Sequence, residues 1–224
     1  MNINPQDPKA ESRDRFVLSK GHCSPALYST LAQKGYFNEE DLTKFRKIDS
    51  NLQGHPDMNK VPGVDMTSGS LGQGLSVANG MALSSKMNSM GYRVYCLLGD
   101  GEIEEGQIWE AAMTSSKYKL DNLCVIVDNN NLQIDGEIQK VKGLNKIEEK
   151  FESFGFNVIT VDGNNIEQLI DAFDRAKMTK GMPTAIIAKT VKGKGVSFME
   201  NLASWHGKAP NEEQFNLAVE ELGK

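Results

Sequence analysis

Two short motifs, Gly99-Asp100-Gly101 and Asn129-Asn130, stand 27 residues apart, and each closes an apolar run. Residues 92–98 and 123–127 are short, apolar and rich in β-branched or aromatic side chains, the pattern of strands buried in a parallel sheet. A parallel pair needs a crossover, and a helix lies between the two runs. Ligands of open α/β sheets collect beyond the carboxyl ends of the strands, which is where both motifs fall. One carboxylate and one amide oxygen converge there.

The rest of the chain repeats that alternation. Helices are expected over residues 25–34, 39–47, 71–88, 147–154 and 166–177, with further strands over 158–161 and 184–188. Residues 1–13 are polar, contain Pro5 and Pro8, and read as an extended lead-in. The order, one helical stretch followed by βαβαβαβ, predicts an α/β fold: a doubly wound, mostly parallel sheet with helices on both faces. A chain of 224 residues buries roughly 70% of its unfolded surface, enough for one domain over residues 1–224.

The residue types at the paired motifs suit a metal-diphosphate site. Magnesium prefers hard oxygen ligands and completes its shell with water and phosphate, and Asp100 and Asn130 offer such oxygens. Gly101 lets the backbone approach a phosphate, and the following helix presents free amides at its N-terminus. The alternative is an ordinary strand-to-helix turn, with Asp100 as a cap. Joint occurrence of the two motifs favours the site.

Composition excludes several classes. The net charge is −5, and the one basic cluster is residues 189–194, which argues against nucleic-acid binding. No apolar run approaches the ~18 residues of a membrane span, and the N-terminus has no signal-peptide pattern, so a cytoplasmic location is expected. Three cysteines do not make a disulfide framework; Cys96 and Cys124 sit inside apolar strands. Cys23 beside His22 lacks an orienting third group and is not read as a nucleophile.

The stretch Gly99-Asp100-Gly101, Glu102 to Gly106, then Asp128-Asn129-Asn130, resembles the thiamine diphosphate signature of transketolases and their relatives. Asp14-Arg15-Phe16-Val17-Leu18-Ser19-Lys20-Gly21-His22 is similar to the transketolase segment that places a histidine near the cofactor. Gly54-His55-Pro56, then Thr67-Ser68-Gly69-Ser70-Leu71-Gly72-Gln73-Gly74, then Lys189-Thr190 and His206-Gly207, resemble further family motifs in the family's order. The resemblance covers residues 4–210.

That resemblance implies a thiamine diphosphate-binding fold, with Asp100, Asn130 and the Leu132 carbonyl holding Mg2+ (or Ca2+ or Mn2+). It implies that His22, Gly69, Ser70, Leu71, Gly101, Glu105, Asn130, Lys189 and His206 line the cofactor. Glu105 also matches a position in an acidic network between subunits. By the same resemblance His22 and His206 lie by the diphosphate or the reacting carbon, and His55 polarises or protonates a substrate oxygen. Imidazole suits this work because it changes charge near neutral pH.

Each residue also has a plainer reading. The glycines from Gly69 to Gly74 can serve only to let a helix pack closely on the sheet; their spacing is not the dinucleotide fingerprint. Lys189 can be a solvated strand-end lysine. Glu102, Glu104 and Glu105, in the expected first helical turn, offset the positive end of the helix dipole.

The implied activity is transfer of a two-carbon ketol unit between sugar phosphates. The family's second domain, which carries a glutamate for the aminopyrimidine ring, is not in this chain. The length matches the N-terminal subunit of split transketolases, working with a C-terminal subunit that holds the pyrimidine-side and C-terminal domains, as a heterotetramer. The family's preceding helical segment with a Ser-Gly-His motif lies upstream of where this chain starts. Competing readings are the α subunit of an α-keto acid dehydrogenase, a deoxyxylulose phosphate synthase type, and a non-catalytic remnant. Gly54-His55-Pro56 and Leu71-Gly72-Gln73-Gly74 favour transketolase over the two other enzymes.

Overall fold

In the computed structural model, which describes residues 1–223, the chain opens with strand β1 (Arg15–Leu18), a 3-10 turn (Gly21–Cys23) and helix α1 (Ser24–Gln33). A second 3-10 segment (Glu39–Lys44) precedes α2 (Gly74–Met87) and β2 (Val94–Gly99). A 3-10 turn (Glu102–Glu104) leads into α3 (Gly106–Lys117) and β3 (Leu123–Asn129). A small hairpin of β4 (Leu132–Gln133) and β5 (Gly136–Glu137) follows, then α4 (Ile138–Val141) and α5 (Ile147–Ser153). The chain continues through β6 (Asn157–Asp162), α6 (Ile166–Met178), β7 (Thr184–Lys189), a 3-10 turn (Ala203–Trp205) and α7 (Glu212–Leu222).

Five strands form one parallel sheet in the order β1-β2-β3-β7-β6. The steps from β1 through β2 and β3 to β6 run in one direction, whereas the return from β6 to β7 runs backwards. Right-handed crossovers therefore put α2, α3 and α5 on one face and α6 on the other. The side chains agree. Leu75, Ala78, Ile108, Ala112 and Phe151 pack with Cys96, Leu98, Val125, Val127 and Ile187 on the first face. Ala172 and Ala176 of α6 meet Tyr95, Ile126, Ile159 and Ile186 on the second. Burial on both faces explains why β2, β3 and β7 read as continuous apolar runs rather than alternating ones.

A satellite cluster of Tyr28, Leu31, Leu52, Val61 and Val64 lies between α1 and the loop that follows it. The Tyr28 hydroxyl donates to the Gln53 carbonyl at 2.9 Å, and the Ser24 hydroxyl to the Gly54 carbonyl at 2.8 Å. These two bonds fix the turn that carries His55.

Several expected elements differ. The sheet begins one strand earlier than the alternation suggested: Arg15–Leu18 forms the β1 edge, four residues too short to stand out as a strand. The helix expected over 39–47 is a 3-10 segment ending at Lys44, and the one over 71–88 starts at Gly74, because Gly72 takes φ +85 and holds the preceding turn out of the helix. Helix α7 lies outside the expected set; Asn211 and Gln214 form its reciprocal capping box.

The β1 edge is held by a buried ion pair. Asp65 accepts from Arg13 at 2.5 and 3.0 Å and from the Phe16 amide at 2.8 Å, and the two charged side chains are 9% and 5% exposed. Removing the carboxylate strands a buried guanidinium. Asp65→Ala is expected to lower unfolding stability by about 3–5 kcal/mol in urea denaturation followed by circular dichroism. Lys140→Ala, which breaks an exposed pair with Glu137, should leave the midpoint in place. An unmoved midpoint in Asp65→Ala would show that the ion pair does not hold the edge.

Candidate active site

Strand register brings the chemistry together. Leu18 pairs with Leu97, Gly99 with Asp128, and Asn129 with Lys189, so the carboxyl ends of β1, β2, β3 and β7 present their next residues at one edge. Asp100 leaves β2 there, only 2% exposed. Its Oδ2 accepts from the Asn131 amide at 2.5 Å and the Asn129 side chain at 3.1 Å, and its Oδ1 from the Gly101 amide at 3.0 Å. Burial and the nearby Asp128 push its carboxyl above the ordinary range against the pull of these donors. No Lys or Arg among the described residues bonds it. Asn130 lies in the same loop, its Oδ1 accepting from the Leu132 amide at 3.0 Å. A buried carboxylate without a cation, next to amide and carbonyl oxygens, is the donor set a hard divalent ion takes.

Two buried nodes tie the edge together. Lys20 pairs with Asp128, which also accepts from the Thr190 hydroxyl, joining the ends of β1, β3 and β7. Burial alone would raise the Asp128 carboxyl, yet the Lys20 ammonium and the Thr190 bond hold it below the usual range. Glu102 accepts from the Ser19 hydroxyl, from the Gly72 amide at 2.9 Å and from the Gly99 amide at 3.1 Å.

The three histidines gather beside this edge. His22 and His206 stack with ring centroids 5.1 Å apart and planes at 28°. A Cβ on Gly69 would sit 3.4 Å from the His55 ring, and one on Gly21 would sit 2.6 Å from the Ser68 hydroxyl, so the turns carrying His22, His55 and Gly69 are in contact. His206 Nδ1 and the Ser68 hydroxyl are buried without a hydrogen-bond partner. Burial depresses His22 to about 4, with His206, Lys20, Lys192 and His55 adding to the effect. His206 is lowered by burial, then by Lys192 and Lys20. Lys20 is committed to Asp128, whereas the charge of Lys192 acts on both imidazoles. A lysine and two imidazole rings with open donor positions suit a phosphate group.

The remaining sequence-predicted residues divide. Gly101 is a close-approach glycine, since a Cβ there would lie 2.8 Å from Gln133 Oε1. Ser70 and Leu71 are exposed on the turn before α2. Glu105 is the extended residue preceding α3, and its Cβ packs against Gly72. The glycine-rich turn does both things weighed for it: Gly74 packs on Ser19, while Gly69 lies under His55.

The Lys189 ammonium pairs with Glu148 at 3.2 Å and its side chain is 60% exposed, an arrangement that both the solvated and the cofactor-lining readings allow. The three glutamates are corrected: Glu102 and Glu104 lie in a 3-10 turn ahead of the helix, and Glu102 points inward instead of capping a dipole. Sequence reasoning passed over Lys192, whose charge acts on both stacked imidazoles, and the Lys20–Asp128–Thr190 node. The signal for Lys192 was weak, one lysine inside a Lys-Gly-Lys run. It also passed over Arg46, held at φ +58 with its guanidinium 3.2 Å from where a Gly54 Cβ would stand, a phosphate-fitting fork beside the His55 turn.

The electrostatics give a pH test. His22 binds its proton at about 4 in the folded chain against 6.5 ordinarily, so the unfolded chain binds more protons between those values. The contribution of His22 to stability is therefore complete above about 6.5 and lost as pH falls toward 4. Because the ring is partly open to solvent, screening reduces its size. An NMR titration should show the His22 imidazole neutral through pH 5, and inorganic pyrophosphate should raise its midpoint. A midpoint near 6.5 in the free chain would contradict the desolvation of this ring and the cationic neighbours that add to it.

Residues 1–224 match the family described as transketolase, thiamine diphosphate binding domain. One subunit of the apulose-4-phosphate transketolase of Phocaeicola vulgatus is 44% identical over 224 residues, covering all of this chain and 79% of that protein. The 6-deoxy-6-sulfo-D-fructose transketolase subunit SqwG of a Clostridium species is 45% identical, covering all of this chain and 82% of that protein. The solved transketolase of Campylobacter jejuni superposes with a TM-score of 0.95 at 36% identity, covering all of this chain and 36% of that one. Relative to such single-chain transketolases, this chain spans about a third of the length. The chain belongs to the transketolase family as its thiamine diphosphate-binding domain.

Proposed function

We propose that this chain is the diphosphate-side subunit of a two-subunit transketolase, which moves a two-carbon ketol unit from a ketose phosphate to an aldose phosphate. The observation that carries the reading is the meeting at one edge of two incomplete sets of partners: the buried Asp100 carboxylate with no Lys or Arg bonded to it, and the His22 and His206 imidazoles under the field of Lys192, with His206 Nδ1 left without a hydrogen-bond partner. A diphosphate with its divalent ion answers both. Relatives at 44–45% identity that are themselves named as subunits support a two-chain organisation. The proposed partner supplies the pyrimidine-side and C-terminal domains, in a heterotetramer.

In this reading Asp100, Asn130 and the Leu132 carbonyl hold Mg2+, or Ca2+ or Mn2+ in its place. Asn129 and the Asn131 amide keep the Asp100 carboxylate aimed at the loop. The unpartnered His206 Nδ1 and Ser68 hydroxyl, with His22, meet the phosphate oxygens or the atoms beside them. Thiamine diphosphate, when bound, supplies the carbon nucleophile and the electron sink for breaking a carbon–carbon bond. His55, exposed above Gly69, is placed to hand a proton to a substrate oxygen and take it back. The satellite cluster and the Tyr28 and Ser24 bonds hold that ring's turn in place.

Isothermal titration of thiamine diphosphate with Mg2+ into the chain, alone and with the C-terminal subunit, tests the reading, alongside a two-carbon transfer assay. Binding should require the metal and tighten with the partner; absence of both binding and transfer would refute it. Asp100→Ala should abolish metal-dependent binding, because one carboxylate anchors the ion. His206→Ala should leave the ligand-free melting temperature unchanged or slightly raised, since it removes a ring whose Nδ1 is buried without a partner, while weakening cofactor binding. A collapse in melting temperature would instead mark His206 as structural.

A further inference from the structure

We propose that Glu102 is a positioning residue for the cofactor pocket, setting the spacing between the His22 turn, the glycine-rich turn and the Asp100 turn. The proposal rests on the reading that this edge binds a diphosphate cofactor. Glu102 is 2% exposed, and all three donors it accepts from lie on different segments. The Ser19 hydroxyl comes from the end of β1, three residues before His22. The Gly72 amide comes from the turn before α2, three residues after Gly69. The Gly99 amide is the last of β2, adjacent to Asp100.

Ser19 extends the node, its hydroxyl oxygen accepting from the Gly74 amide at 3.1 Å while its proton goes to Glu102. Each of the three segments thus has one polar anchor on a single carboxylate or its relay. The glycines make the approach geometrically possible. A Cβ on Gly72 would lie 2.9 Å from the Glu105 Cβ, and Gly74 packs on Ser19 with no room for one.

A carboxylate is the group this arrangement asks for. Both oxygens face donors, Oε1 toward Ser19 and Gly72 and Oε2 toward Gly99. A carboxylate accepts on both oxygens, whereas an amide must turn an NH2 toward at least one donor. A helix-capping acid would be solvated; this one is enclosed and directs three backbone segments. Its loss should appear as a misplaced set of contacts at the diphosphate, not as a lost contact with it.

Glu102→Gln preserves volume and removes one acceptor. Titration of thiamine diphosphate with Mg2+ into the full-length variant should show the dissociation constant raised by about tenfold or more, the scale of one buried donor left unmet. The ligand-free melting temperature should stay within a few degrees of wild type, and turnover with the partner subunit at saturating cofactor should return toward the wild-type rate. An unchanged dissociation constant, with or without a drop in melting temperature, overturns the proposal and leaves Glu102 a structural acid. Should Glu102→Gln fail to fold, Ser19→Ala decides: weaker binding by a folded variant supports the positioning role, and wild-type binding overturns it. Wild-type chain that binds no thiamine diphosphate would instead overturn the functional reading beneath it.

Discussion

The register between β2 and β3 is the constraint on which the site depends. Gly99 lies opposite Asp128, so the next residues out, Asp100 just beyond β2 and Asn129 at the end of β3, stand side by side and bond at 3.1 Å. A slip of one residue would move every side chain to the other face. Here both faces are buried, yet they are shaped differently: Cys96, Leu98, Val125 and Val127 meet three helices, while Tyr95, Cys124 and Ile126 meet only α6. The two cores lock the register, and the register delivers the carboxylate and the amides to one edge.

That edge is electrostatically unfinished in the free chain. Lys20 and Asp128 neutralise each other, but Asp100 and Glu102 are raised by burial and His22 and His206 are lowered by it. Each shift marks an environment that disfavours the charged form. Desolvated acids and imidazoles of this kind lower stability until a ligand supplies the partners they lack. Any ligand that satisfies both binds the folded chain alone, so the same free energy that was withheld from folding reappears as affinity and as ligand-linked stability.

Much of this was legible in the sequence because it lay in strongly periodic or punctuated segments. Continuous apolar runs marked β2, β3 and β7, and the residues immediately after them marked the site. The edge strand β1 was not legible as a strand: it is four residues long and includes two positions only partly buried, and its stability comes from Asp65, 50 positions away from Arg15 in the chain. Lys189 shows a local limit. A strand-end lysine beside a motif looks the same whether it turns toward the site or toward a helix, and its ion pair with Glu148 on α5 comes from outside the motif. Glu102 was hidden in a similar way, since an acid just before a helix has an adequate explanation that needs no tertiary partner.

The residues that sequence reasoning missed share one property: they act between segments. Lys20, Asp128 and Thr190 lie at the ends of three strands, and Ser19, Glu102 and Gly72 in three different turns. Motifs reveal what each loop can touch, because contact chemistry is local to a few adjacent residues. Spacing between loops is set by groups that face inward, whose partners are distant in sequence and whose type is constrained only by how many donors converge on them. In a site assembled from the ends of four parallel strands, such groups set the distance between the Asp100 turn and the turns that carry His22 and Gly69. On the reading proposed above, a diphosphate and its metal enter as one compact unit, so a shift of that distance weakens the contacts on both sides together even when every contacting residue is in place.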